Sequence, residues 1–336
     1  MRKLRSIQNA AVAAMLCIAG GANAQTEELE QVGRLIDDAL FYSDKYITPA
    51  TDGAIYQAAS GWMASAKKRD FLHFDVSLNT NVFFVPQSDR SFVINNSDLK
   101  FFTLTEGTSA TVPTALGNDQ QVNLTGQLGD EEVKLKTPEG INREAVVYPC
   151  LQGTIGIGAG FEIIGKYSPK IKLKRSNYQV YGVGLKHSIA HYLGWFQRKG
   201  INLAVLAAYS KEDVTFDFLN VDTSAGTLGI DSLNGLVDTW QFQANASKEF
   251  GNFEVMGGFI MNTSAIEYRV AGQRGSIEDI IPLQQVLNTR LEAIAKSRTN
   301  YIGEASLRYN FGHFGLQGIF AFGKFANTNF SIHYQF

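Results

Sequence analysis

The sequence predicts an all-β protein: a transmembrane, antiparallel, up-and-down β-barrel of 12 to 14 strands with a small N-terminal helical plug segment. Three observations lead there. The last ten residues, Asn327 to Phe336, alternate strictly between polar and apolar and end on an aromatic. Earlier segments repeat the same two-faced pattern at intervals of about twenty residues, the spacing of long hairpins in a barrel. The first 24 residues have the make-up of a secretory signal.

At the C-terminus, Phe330, Ile332, Tyr334 and Phe336 share one face and Asn329, Ser331, His333 and Gln335 the other, because successive strand side chains point to opposite sides. A closed barrel in lipid needs its last strand to pair with its first, since an unpaired edge is costly there. The four apolar residues are therefore expected to face lipid and to form the signal read by barrel assembly machinery. At the other end, Arg2, Lys3 and Arg5 precede an apolar run, Ala10 to Gly20, and a small-x-small site at Ala22-Asn23-Ala24. The run is too short to span a bilayer. Cys17 follows Leu16 where a lipoprotein signal has a small residue, so it is expected to leave with the signal. Cys150 then stands alone and no intrachain disulfide can form.

The expected organisation is a signal peptide at 1–24, a helical plug or periplasmic segment at 25–69, and a barrel at 70–336, in the outer membrane of a Gram-negative-type envelope. The chain has 336 residues, net charge −2, 12% aromatics and mean hydropathy −0.09. That is too polar for a helical membrane protein and suits a barrel, in which every second residue meets lipid. With no basic run interleaved with aromatics, nucleic acid is not an expected partner.

Tyr301, Gly303, Ala305, Leu307, Tyr309 and Phe311 share a face opposite Glu304, Ser306, Arg308 and Asn310. An Arg toward lipid at mid-bilayer costs about 2–4 kcal/mol, so Glu304 and Arg308 must face the lumen. Leu72 to Phe84 reads as the first strand, with His73 and Asp75 inward. Phe161, Ile163, Tyr167 and Ile171 oppose Glu162, Lys166, Lys170 and Lys172, and Tyr181 to Ile189 opposes Lys186. Trp240 to Ser247 and Phe253 to Met261 flank Gly251-Asn252, a tight periplasmic turn. Further strands fit Leu151 to Gly158, Ile201 to Tyr209 and Phe314 to Phe325. Phe92 to Val147 reads as loops with short hairpins inserted. His73 and His333, on neighbouring first and last strands, are expected to be polar filling of the lumen, with a Ser-His arrangement as the alternative. Asp75, Glu162, Lys166, Lys186, Glu304 and Arg308 are expected to line or brace the interior as solvated or paired charges, with a selectivity site as the alternative.

Two segments break the strand pattern. Gln25 to Lys68 has Leu29, Val32, Leu35 or Ile36, and Leu40 at helical spacing, Pro49 as a stop, and small residues from Ala54 to Ala66. It is expected inside the barrel, with a periplasmic appendage as the alternative. Ser276 to Lys296 carries an apolar helical stripe, Ile280, Leu283, Leu287, Leu291 and Ile294, in an external loop. That stripe either collects hydrophobic solute or packs over the rim.

The runs Gly61-Trp62-Met63-Ala64-Ser65-Ala66-Lys67-Lys68, Val112-Pro113-Thr114-Ala115-Leu116-Gly117, Lys166-Tyr167-Ser168-Pro169-Lys170 and Tyr181-Gly182-Val183-Gly184-Leu185-Lys186-His187 resemble an uncharacterised family of outer-membrane barrels, distantly similar to the long-chain fatty-acid transporter family. The resemblance implies 14 strands, an N-terminal hatch and passage of hydrophobic molecules. No transporter-type hatch sequence is found within Gln25 to Lys68, and no strand kink for a lateral exit.

Five His and a single mature Cys give no metal-ligand spacing. His187 and His191 are expected near the membrane interface. A Gly-x-Ser-x-Gly elbow and a P-loop are absent. No cofactor and no enzymatic activity are expected, and a monomer is. The functional expectation is passive uptake of small hydrophobic solutes through a plugged lumen; the alternative is a non-transporting structural or protein-binding outer-membrane platform.

Overall fold

The computed structural model describes residues 2–129, 131–174, 176–217, 222–223, 226–227, 231–273, 283–292 and 295–336; side chains are described from Glu30 onward, apart from those of Glu131, Leu173, Leu283 and residues 222–227. Ten antiparallel strands close into one barrel: β1 (Phe74–Phe84), β2 (Ala145–Gly158), β3 (Phe161–Leu173), β4 (Ser176–Ser188), β5 (Ile201–Asp217), β6 (Ser232–Phe250), β7 (Phe253–Ala271), β8 (Lys296–Phe311), β9 (Phe314–Phe322) and β10 (Ala326–Gln335). Every strand pairs with its sequence neighbour in the barrel. Closure is made by β1 on β10, with Ser77 opposite His333 and Leu78 opposite Ile332. Phe336 donates its backbone N–H to the Phe74 carbonyl at 3.0 Å, so the last residue is held by the first strand.

The expectation of 12 to 14 strands is therefore corrected to ten. Dividing length by twenty overcounts because residues 85–144 add no barrel strand. They form a cap of two small sheets, Ser91–Asn95 with Ser109–Pro113, and Thr103–Leu104 with Asn123–Leu128 and Glu131–Lys136. Strands β6 and β7 are also long, at 19 residues each.

One end of the barrel has two-residue turns at Ala159-Gly160, Gly251-Asn252 and Gly312-His313; in barrels of this type that end is periplasmic. Gly251 and Gly312 take φ of 62° and 60°, which suits the residue without a Cβ. On the outer wall, Phe253, Val255 and Phe259 of β7 and Phe242 and Trp240 of β6 are exposed. Aromatic pairs mark the lower border, such as Phe253 with Tyr309 at 4.8 Å and Tyr334 with Phe336 at 4.6 Å, and Tyr209 with Trp240 at 5.1 Å marks the upper. Above it the outward residues turn polar: Lys211, Asp238, Glu267 and Arg269. Lys211 reaches Asp238 at 3.0 Å. The barrel thus stands well above its lipid-facing band, and there its interior is apolar, with Val214, Phe216, Leu233, Val237, Tyr268 and Val270 buried.

Helix α1 (Arg2–Ala59) enters this interior and runs straight through Pro49, which does not act as the expected stop. Proline removes one helical hydrogen bond, but α1 is enclosed on all sides here: Tyr46, Ile47, Ala50 and every residue from Thr51 to Met63 are buried. Packing of this extent overrides the local penalty. Among the described residues no helix is long and apolar enough to cross a membrane, which says nothing about the strands.

Candidate functional site

The site is the filled lumen. A barrel of eight strands has an interior just wide enough for its own side chains; two more strands admit one helix, and α1 occupies that space. The last carbonyls of any helix lack intrahelical donors, and burying them unpaired costs about 1–3 kcal/mol each. Here the barrel wall supplies the donors. Asn327 Nδ2 reaches the Tyr56 carbonyl at 2.8 Å and the Tyr148 hydroxyl reaches Gln57 at 3.0 Å. Lys166 Nζ reaches Ala58 at 3.2 Å and Ser60 at 2.6 Å, and Gln241 Nε2 reaches Ala59 at 3.0 Å. Lys166 also stacks its ammonium over the Trp62 ring at 5.0 Å, and a cation beside a helix C-terminus is favourable in its own right. Gly61 follows with φ 75°, the left-handed turn that ends many helices. Its N–H goes to Glu304 at 3.0 Å, and Gln152 and Gln317 donate to the Trp62 and Ala64 carbonyls further along.

Where the chain leaves the plug for β1, the predicted lumen charges come together. Glu162 pairs with Lys186 at 2.7 Å and with Arg69 at 3.4 Å; Asp75 pairs with Arg308 at 3.3 Å and Arg69 at 3.4 Å. Asp75, Glu162, Lys166, Lys186, Glu304, Arg308 and His333 are all buried, so each of these lies in the lumen as the alternation predicts. His73 does not. It precedes β1, is exposed, and its register position is not opposite His333; the turn at Leu72, with φ 60°, ends the strand pattern one step early.

His333 instead bridges Asp75, at 2.9 Å from Nδ1, and Ser331, at 2.8 Å from Nε2. This has the hydrogen-bond order of a hydrolytic triad. However, Asp75 is also engaged by two arginines, and neither described cavity is lined by Ser331. The group braces the β1–β10 closure. Among the described residues no cluster could hold a metal ion.

The external loop carries α3 (Leu283–Glu292), in which Leu287 and Leu291 are buried in the same core as α1 rather than lining an open groove. Ile280 and Ile294 lie outside the described residues. The cap is tied to α1 by Asp38, whose buried carboxylate accepts the N–H groups of Lys100, Phe101 and Phe102 at 2.7, 2.9 and 2.8 Å. Neither Asp38 nor the helix-capping Tyr148, Gln152, Gln241 and Asn327 stands out in sequence.

The wall itself has one interruption. β2 and β3 pair only over Leu151–Gly158 and Phe161–Tyr167; above that, 145–150 and 168–173 are not in register as a ladder. Only β2 and β3 of the ten strands contain proline, Pro149 and Pro169, and neither can donate to a ladder. The Ser168 hydroxyl reaches the Pro149 carbonyl at 2.9 Å in place of a ladder bond. A bulge between Ser168 and Ile171 shifts the alternation, which turns Ile171 inward and leaves Lys170 and Lys172 exposed, against the expectation for all three. Behind the seam lies an apolar cavity of about 30 Å³ against α1, lined by Ala50, Ala54, Val146, Tyr178, Val214 and Phe216 among others.

Residues 1–336 match one family, described as "Family of unknown function (DUF6588)", and the chain belongs to it. No curated protein matches. Among solved structures the chain is similar to Ail, the attachment invasion locus protein of Yersinia pestis (8% identity, 80% of this chain and 100% of that one, TM-score 0.26). It is also similar to the translocator domain of autotransporter NalP from Neisseria meningitidis (10%, 88% and 98%, 0.31) and to a Pseudomonas aeruginosa FadL homologue (10%, 75% and 60%, 0.29). Likeness at this level says nothing of what the chain does.

Proposed function

We propose that the protein is exported by its N-terminal signal, resides in the outer membrane, and passes small hydrophobic solutes sideways through the β2–β3 seam while α1 keeps the lumen shut to water and ions. What supports this reading is the seam, where two facing prolines leave the wall unzipped beside an apolar cavity and the plug. A closed lumen suits a solute that partitions into the wall rather than one carried in water. The cavity of about 30 Å³ holds roughly one water-sized sphere, so passage requires the apolar faces of α1 and the cap to part locally.

The test is Pro149→Val with Pro169→Val, which restores both backbone donors. Entry of a hydrophobic fluorophore into cells carrying the protein should fall to the level of cells without it, with barrel assembly unchanged. Unchanged entry would move the reading to the alternative, a closed platform that binds a partner through its cap.

A further inference from the structure

The fourth periplasmic connection differs from the three two-residue turns. Residues 189–200 form a 3₁₀ turn (Ala190–Tyr192) and a short helix, α2 (Gly194–Arg198). Tyr192, Leu193 and Trp195 are 64, 42 and 54% exposed beside the lipid-facing wall. Aromatics so placed sit at the level of lipid headgroups. Arg198 and Lys199 follow them, both exposed.

Behind this connection is a pocket of about 180 Å³ lined by Ala66, Lys68, Ser188, Ala190, His191, Gln197, Gly200, Ile201 and Asn202. It contains an ammonium, an imidazole and two amides, and no carboxylate. Among the described residues, the side chains of Lys68, His191, Gln197 and Asn202 make no hydrogen bond or ion pair, in contrast to the paired charges a few residues deeper. These four groups line one pocket with no counter-charge among them, Lys68, His191 and Gln197 being also open to solvent, and such a lining fits an anion with several acceptor oxygens.

We propose that this pocket binds the phosphate of a phospholipid headgroup in the periplasmic leaflet, with Tyr192, Leu193 and Trp195 against its acyl chains. The headgroup would touch Ala66 and Lys68, the stretch by which the plug leaves the lumen, so lipid and plug would share a contact. The exposed aromatics favour a lipid over free phosphate, because they lie on the membrane side of the same connection.

The full-length mature protein, refolded in detergent, would be titrated with phosphatidylglycerol and read by native mass spectrometry, with inorganic phosphate as the second arm. One lipid should be retained, and Lys68→Gln should weaken retention about fivefold, the effect of one cation near a headgroup. Adding His191→Ala should weaken it further. Heat-modifiable electrophoretic migration confirms that both variants are folded barrels. Equal retention by parent and variants overturns the proposal, as does displacement of the lipid by inorganic phosphate at matched concentration, which would assign the pocket to the free anion.

Discussion

Replacing Lys166 by Met keeps most of the length of the side chain and removes its donors. In the structure Lys166 serves two plug carbonyls, Ala58 at 3.2 Å and Ser60 at 2.6 Å, and lies over Trp62. The Ala58 carbonyl keeps a second donor, the Trp62 indole at 2.8 Å, whereas Ser60 keeps none among the described contacts. One carbonyl left buried and unpaired costs about 1–3 kcal/mol. Losing the cation at the helix end adds up to about 2 kcal/mol in a buried setting, and removing the desolvation cost of the ammonium offsets part of that sum. The net expectation is about 2–3 kcal/mol against the seated plug, or a roughly 30- to 150-fold rise in its unseated population. Hydrogen exchange over residues 50–66 in the refolded protein measures that population. Protection within twofold of the parent would falsify the view that wall donors hold the helix in place.

Gly61→Ala should unseat the same turn by a different route: its φ of 75° strains a Cβ by about 1–2 kcal/mol, and that Cβ would lie 2.8 Å from Asn329 Nδ2. Its midpoint of urea unfolding in detergent should drop, and an unchanged midpoint contradicts the cap geometry. Asp38→Ala leaves three backbone N–H groups without their acceptor, so limited proteolysis should cut within 85–144 at least tenfold faster while the barrel stays intact. Phe336→Asp should abolish assembly, and normal outer-membrane levels of that variant would count against the reading of the C-terminal strand. Ser331 should not react with a fluorophosphonate probe; stoichiometric labelling would show that the Ser331–His333–Asp75 chain is accessible and reopen the case for an enzyme.

A segment of each of the ten barrel strands was legible, because lipid on one side and a packed lumen on the other enforce a period of two. The upper parts of β6, β7 and β2 were not, since above the lipid the interior turns apolar, the outward face of β6 and β7 turns polar, and the alternation fades. The number of strands was not legible either, since length cannot tell a barrel strand from the cap of residues 85–144. Alternation also misplaced Lys170 and Lys172, as a single bulge reverses the faces beyond it, although Pro149 and Pro169 were visible signals that the ladder fails there. Lys166 and Glu304 could be assigned to the lumen from sequence, but their use as caps of α1 could not. That role depends on which wall position meets which helix carbonyl, a matter of register and depth. His73 failed for a local reason, the left-handed Leu72 beside it.

Because β7 leaves the lipid midway, a single strand obeys two sets of rules for the same outward direction. A lysine at Phe259, outward and midway between the two aromatic borders, would sit against acyl chains, at a cost of up to about 4 kcal/mol. At Ala265, on the same face and higher up, it would sit beside Glu267 in water at little cost. Tolerance to substitution along this strand is therefore a depth gauge, and the step in it marks the height of the outer membrane surface on the protein.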